Sequence, residues 1–147
     1  MPKIADIRKI RGVIRKRIPK EKIVRLGGMT DCFQPLEKEN KVTYNTIKEL
    51  NEKGVGYLIV TKSNLVASDE YMSILRKDLA HIQITVTCTD NELSKTYEKA
   101  TPPSRRIEAI KKLYAEGFDV ALRLSPFIPQ FVGKGLDLDV INDVKCL

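Results

Sequence analysis

Between residues 22 and 124, four short apolar runs alternate with amphipathic stretches, and this rhythm constrains the fold more than any other feature of the chain. The densest run is Gly56 to Thr61, where Tyr57, Leu58, Ile59 and Val60 stand in succession. An unbroken apolar run of that length reads as a strand covered on both faces, as in a parallel sheet. Residues 81–88 alternate instead, with Ile82, Ile84 and Val86 on one side and Gln83, Thr85 and Thr87 on the other, the period of a strand. Residues 22–26 and 119–124 supply two more strands. Helices are expected at 43–53 (Ile47 and Leu50 inward, with Gly54 as the stop), from Ser68 or Asp69 to about Leu79, and at 90–97. Another is expected at 104–116, where Ile107, Ile110, Leu113 and Tyr114 form a stripe that Gly117 ends. A first helix over 3–17 and a last one over 137–144 complete the order. Strands separated by helices imply right-handed crossovers and a parallel sheet. The predicted fold class is α/β, with a parallel sheet of about four strands and flanking helices. Four strands do not close the usual eight-stranded barrel, so the sheet is either small and open or a piece of a larger partial barrel.

A length of 147 residues suits a single domain. No run reaches the apolar length of a membrane span, and Lys3, Asp6, Arg8 and Lys9 interrupt any signal-peptide core. Cys32, Cys88 and Cys146 lie far apart with no metal-type spacing, so no metal ligands are assigned. A cytoplasmic, reducing setting is expected. The net charge of +7 is unevenly placed: residues 1–22 carry nine basic and two acidic residues, and the other 125 sum to zero. Ile4, Ile7, Ile10, Val13, Ile14 and Ile18 recur at helical spacing among those cations. Two readings stand for residues 3–22: an arm for nucleic acid, and the solvated face of a packed helix.

The strand ends carry polar groups where a core prefers apolar ones. Gly27, Gly28, Thr30 and Asp31 follow the first strand, Lys62 and Ser63 the second, Thr85 and Thr87 close the third, and Arg123 and Ser125 the fourth. In parallel α/β proteins that end of the sheet is where ligands bind. A lysine at such a mouth pairs with a carboxylate or phosphate. The alternatives are local: Gly27 and Gly28 serve a turn, Lys62 reaches to solvent, and Arg123 pairs with Asp31 inside the sheet. His81, the one histidine, sits at the opposite end of its strand, and no catalytic triad can be built around it.

These segments resemble a known family. Gly28-Met29-Thr30-Asp31-Cys32-Phe33-Gln34-Pro35 with Glu37 is similar to the "TDPYQPxE" stretch of radical S-adenosylmethionine (SAM) proteins of the spore photoproduct lyase-like group. Ile59 to Ser63 resembles "I-x-TKS", and Thr85 to Asp90 resembles "S-I-T-T-T-D". Glu98 with Pro102, Pro103 and Arg106 resembles "EP-x-x-P…R", Ala115 to Phe118 an "AGF"-like helix end, and Ser125 to Pro129 the "PIIP" strand exit. The resemblance spans about residues 22–130. It implies a partial (β/α)6 TIM-like barrel that holds a [4Fe–4S] cluster on a C-x-x-x-C-x-x-C loop. SAM binds that cluster and is cleaved to a radical that abstracts hydrogen from substrate. It further implies that Gly27, Gly28 and Thr30, beside Asp31, lie near the SAM amino group. Lys62, beside Ser63, faces its carboxylate, and Thr85 contacts the methionyl or ribose part. Arg106 holds the strand–helix corner, and Ser125 and Pro126 lie near adenine.

Three departures stand out. No C-x-x-x-C-x-x-C is present, Cys32 and Lys99 stand where the family has proline, and Thr85 replaces serine. The chain is therefore expected to comprise a basic amphipathic helix (1–20), a radical SAM-like barrel portion (21–130) and a tail (131–147). It reads as part of a radical SAM enzyme, acting on DNA as a repair lyase does, and not catalytic on its own without the cluster loop. The alternative is a cluster-free module that binds a nucleotide-like ligand, nucleic acid or a protein. Open sheet edges and the apolar stripe of residues 4–18 predict a homo-oligomer.

Overall fold

The computed structural model describes residues 4–144. Lys3, where the sequence places the start of the first helix, and Cys146 lie outside the described residues.

Helix α1 runs Ile7–Arg17, starting where Asp6 accepts the Arg8 N–H at 2.9 Å and so caps it. That bond, with the Arg8 side chain, holds the Asp6 carboxyl below the usual carboxylate range. Of its apolar stripe, Ile14 is buried and Ile10 and Ile18 pack on the core, while Ile4 and Val13 stay exposed. The stripe faces α3 (Val42–Lys53), across which Arg11 and Arg15 both pair with the buried Glu49. Burial would raise the Glu49 carboxyl; the two guanidinium hydrogen bonds outweigh it and hold the group low. The Lys53 ammonium donates to the carbonyls of Ile14 and Arg15 at 2.6 and 2.9 Å, satisfying the end of α1.

Strands β1 (Ile23–Leu26), β2 (Gly56–Thr61), β3 (Ala80–Thr85) and β4 (Asp119–Arg123) form one parallel sheet in the order β1-β2-β3-β4. Strands that neighbour in space as in sequence, joined by right-handed connections, place their helices on one face, as in the wall of a barrel. Tyr57 marks that face, because its hydroxyl reaches Asn51 of α3 at 3.0 Å. Tyr57, Ile59, Ile82, Ile84, Val120 and Leu122 are buried there with Ile47 and Leu50 of α3. Ile110 and Leu113 of α6 (Pro103–Ala115) complete this layer. The opposite face carries Arg25, Leu58, Gln83 and Ala121, which are exposed or half-buried. The α/β class and the four-stranded parallel sheet are as the sequence predicts.

Three elements differ from expectation. The helix expected to reach Leu79 is only α4, Asp69–Met72, preceded by a 3₁₀ turn at Leu65–Ala67. Two backbone groups beyond it are taken by side chains. Asn51 donates to the Ile74 carbonyl at 2.7 Å, and the Tyr57 hydroxyl accepts the Arg76 N–H at 3.2 Å. The third strand stops at Thr85, not at residue 88. Val86 donates one last bond to the Arg123 carbonyl before β4 ends. A short helix α2 (Glu37–Asn40) is not among the predicted elements. The buried Glu37 carboxylate closes the gap to α3 by accepting the N–H groups of Thr43 and Tyr44, each at 2.9 Å, and the Tyr71 hydroxyl at 2.6 Å. Helices α5 (Asn91–Tyr97) and α7 (Leu138–Asp143) are capped by Asp90 and Asp137. No helix among the described residues is long and apolar enough to cross a membrane.

Candidate functional site

All four strands end on one rim, since Leu26 lies beside Ile59, Thr61 beside Ile84 and Thr85 beside Arg123. At the end of β1, Gly27 has φ 84°, and a Cβ placed there would lie 2.1 Å from the Val60 carbonyl oxygen. Only glycine lets the turn cross the neighbouring strand so closely. Beyond it Gly28, Met29 and Thr30 are exposed, and a Cβ at Gly28 would meet open space.

Asp31 turns the chain back. Its carboxylate accepts the Phe33 N–H at 2.9 Å, the Thr61 hydroxyl at 2.7 Å and the Lys62 N–H at 2.7 Å. The first loop is thereby stitched to the tip of β2. Among the described residues Arg123 makes no ion pair with Asp31, which removes the expectation of a charge pair inside the sheet. Ser63 serves the backbone: its N–H donates to the Thr61 hydroxyl oxygen, and its own hydroxyl oxygen accepts the Leu65 N–H.

A buried charge network joins the next two strand ends. The Lys62 ammonium lies 2.6 Å from Glu98, just past α5, and the other Glu98 oxygen pairs with Arg106 of α6. Arg106 is fully buried. It also donates to the Thr85 carbonyl at 3.0 Å and the Thr101 carbonyl at 2.5 Å. Burial pushes the Glu98 carboxyl up, but the hydrogen bonds from Lys62 and Arg106 prevail and hold it below the usual carboxylate range. Lys62 differs from its partner in exposure: its side chain is 37% accessible and that of Glu98 only 8%. The Lys62 side chain is therefore only partly enclosed, and it lines the groove described below. Thr85 is buried, and Ser125 is half-buried after β4, where its peptide to Pro126 is cis.

The structure thus links Asp31, Lys62, Thr85 and Arg106 through hydrogen bonds, with Gly27 and Ser63 shaping the loops around them. Gly28, Thr30 and Ser125 share the rim without joining that network. Sequence reasoning missed two members, Glu98 and Thr61, and, outside the network, Tyr97. Glu98 was visible only as one letter of a motif. The Tyr97 hydroxyl bridges Thr87 at 2.7 Å and the Cys88 sulfur at 3.0 Å, and burial and that sulfur push the phenol up to about 12. Beside the network a groove of about 980 Å³ opens between the loop at Asp31–Pro35, the segment after β2 and the outer side of α6. The β2–β3 connection beside it holds only a 3₁₀ turn and the four-residue α4.

The described residues do not fit an iron–sulfur cluster. No three His, Cys, Asp or Glu side chains among them gather as metal ligands. Burial, and then Asp31, raise the Cys32 thiol far above its ordinary value, so it remains protonated where a ligand must be thiolate. The Cys88 sulfur is already held by Tyr97.

No family model matches the chain. It is 31% identical over 109 residues to the uncharacterized protein MJ0683 of Methanocaldococcus jannaschii, covering 73% of this chain and 41% of that protein. It is 28% identical over 115 residues to the uncharacterized protein ORF301 of Acidianus two-tailed virus, covering 75% and 36%. The chain therefore spans about two fifths of the length of the curated relatives it matches. Among solved structures it is similar to a point mutant of spore photoproduct lyase, with a TM-score of 0.51 and 12% identity over 82% of this chain and 34% of that one. At that identity the likeness is one of fold, and it establishes a distant structural relationship between this four-stranded wall and about a third of spore photoproduct lyase.

Proposed function

We propose that residues 21–130 are part of a radical SAM barrel of the spore photoproduct lyase-like group, and that the rim of the sheet binds the methionine-type end of SAM. The observation that carries this reading is the Asp31–Lys62–Glu98–Arg106–Thr85 network, assembled where α/β proteins hold their ligands. An ammonium has three donors, so Lys62 takes a ligand carboxylate on its exposed side while keeping Glu98. Gly27 and Gly28 present backbone to the amino group, and Ser125 borders the adenine. The described residues supply no cluster, so no radical step is assigned to them. The repair-lyase activity on DNA belongs to this proposal, as a property of a complete protein.

Calorimetry with SAM, methionine and 5′-deoxyadenosine tests the reading. SAM and methionine are expected to bind, and Lys62→Ala to weaken both by about tenfold, the worth of roughly 1.4 kcal/mol, while 5′-deoxyadenosine is unaffected. Parental SAM binding by Lys62→Ala would remove the lysine from the site. A second reading, a cluster-free module for a nucleotide-like ligand, is favoured by the lack of a metal-ligand group among the described residues. It predicts that 5′-deoxyadenosine binds as well as SAM and that methionine does not bind.

A further inference from the structure

The charge excess of the first 22 residues divides into two sets. Arg11 and Arg15 are committed to Glu49, and Arg8 to Asp6. Lys9, Lys16, Arg17, Lys20 and Lys22 are exposed, and none of them joins an ion pair among the described residues. Lys9 and Lys16 lie two turns apart on α1, on the side away from Ile10 and Ile14, and Gly12 falls between them. A glycine inside a helix is destabilising relative to alanine, because it gives up more backbone freedom on folding. The usual reasons for accepting that penalty are missing here. Gly12 is not among the positive-φ glycines, and a Cβ on it would meet nothing within 4 Å. What the glycine leaves is a bare strip of backbone between two unpaired lysines.

We propose that this outward face of α1, Lys9–Gly12–Lys16, together with the exposed Lys20 and Lys22 that follow the helix in sequence, docks the phosphodiester backbone of a nucleic acid. At 1.5 Å per residue the two helix lysines are about 10 Å apart along the axis, roughly three phosphate steps of one strand. The missing Cβ lets the backbone of the polyanion lie against the helix. The rest of the chain sums to zero charge, so the net positive charge resides in this segment. An anionic membrane fits less well, because an interfacial helix must bury its apolar face in lipid, and that face of α1 is packed on α3 and the core. The proposal is independent of the SAM reading, and its failure leaves the rim untouched.

Fluorescence anisotropy of the full chain with a labelled duplex DNA of about two helical turns, the same duplex in RNA, and a single strand tests it across a salt series. The parent is expected to bind with affinity falling steeply as salt rises. A Lys9→Gln/Lys16→Gln variant should lose about two units of the log–log salt slope on duplex DNA, with an unchanged thermal midpoint. Gly12→Ala should raise the midpoint by a few degrees, yet weaken binding several-fold. A glycine of purely structural meaning gives no such opposition of signs. Preference between the DNA and RNA probes identifies which nucleic acid is taken. Parental affinity and slope in the double lysine variant overturn the proposal. So does unchanged binding by Gly12→Ala, or anionic vesicles captured as tightly as the duplex.

Discussion

Gly27 and Glu98 set the two sides of the rim by opposite means, one by lacking a side chain and the other by burying a charged one. Gly27→Ala would force an L side chain into a left-handed φ and against the Val60 carbonyl. Strain of this kind costs roughly 1–3 kcal/mol, and urea unfolding should register at least that loss; a change under about 0.5 kcal/mol would show the turn to be free to move. Glu98 governs the acid side. Its carboxyl is held low in the folded chain, so it stabilises the fold above the unfolded-state value of about 4.3. That contribution fades as pH falls through the folded value. Glu49 acts in the same direction. Glu98→Gln should therefore flatten the loss of stability below pH about 4.3, as measured by denaturant midpoints, and an unaltered acid profile would contradict this account. Gly27, Asp31 and Lys62 could be read from local sequence because Gly27 and Lys62 directly follow strands and Asp31 closes the short loop after β1. Glu98 could not, because it lies 36 positions from Lys62 and meets it only when the α5–α6 corner folds over the rim.

The four strands and the two long helices of the sheet were legible because their periods are unambiguous, dense or alternating for strands and about 3.6 for helices. The segment from Ser68 to Leu79 was not, since its apolar spacing suits a helix that tertiary bonds then break. Asn51 and Tyr57, one on α3 and one on β2, take the carbonyl and the N–H that a continued helix would have used. Tyr57→Phe removes that hydroxyl. It should cost about 1–2 kcal/mol and increase proteolysis between Ser73 and Leu79 while leaving the sheet's circular dichroism intact. Equal cleavage in parent and variant would mean that the latch does not hold this segment. Helix α2 escaped notice because a single turn has no period; only Glu37, capping the following helix from six residues away, signals it.

At the scale of the molecule, the sheet formed by the described residues is a wall with two free edges. β1 and β4 each pair on one side only, and Ile23 on β1 is 61% exposed. Natural sheets seldom leave such edges open, so self-association through β1 or β4 is expected, with sedimentation showing a weight-average mass that rises with concentration. A single 16.7 kDa species up to millimolar concentration would count against it. The apolar stripe of residues 4–18, expected as the main association surface, is largely spent within the chain: Ile14 is buried and Ile10 and Ile18 pack on the core. The same packing carries a consequence for motion. Lys53 clasps the last carbonyls of α1 from the far end of α3, so the first helix cannot behave as a loose arm. Its final turn should trade amide protons for deuterons on the same clock as α3, both helices opening in one event.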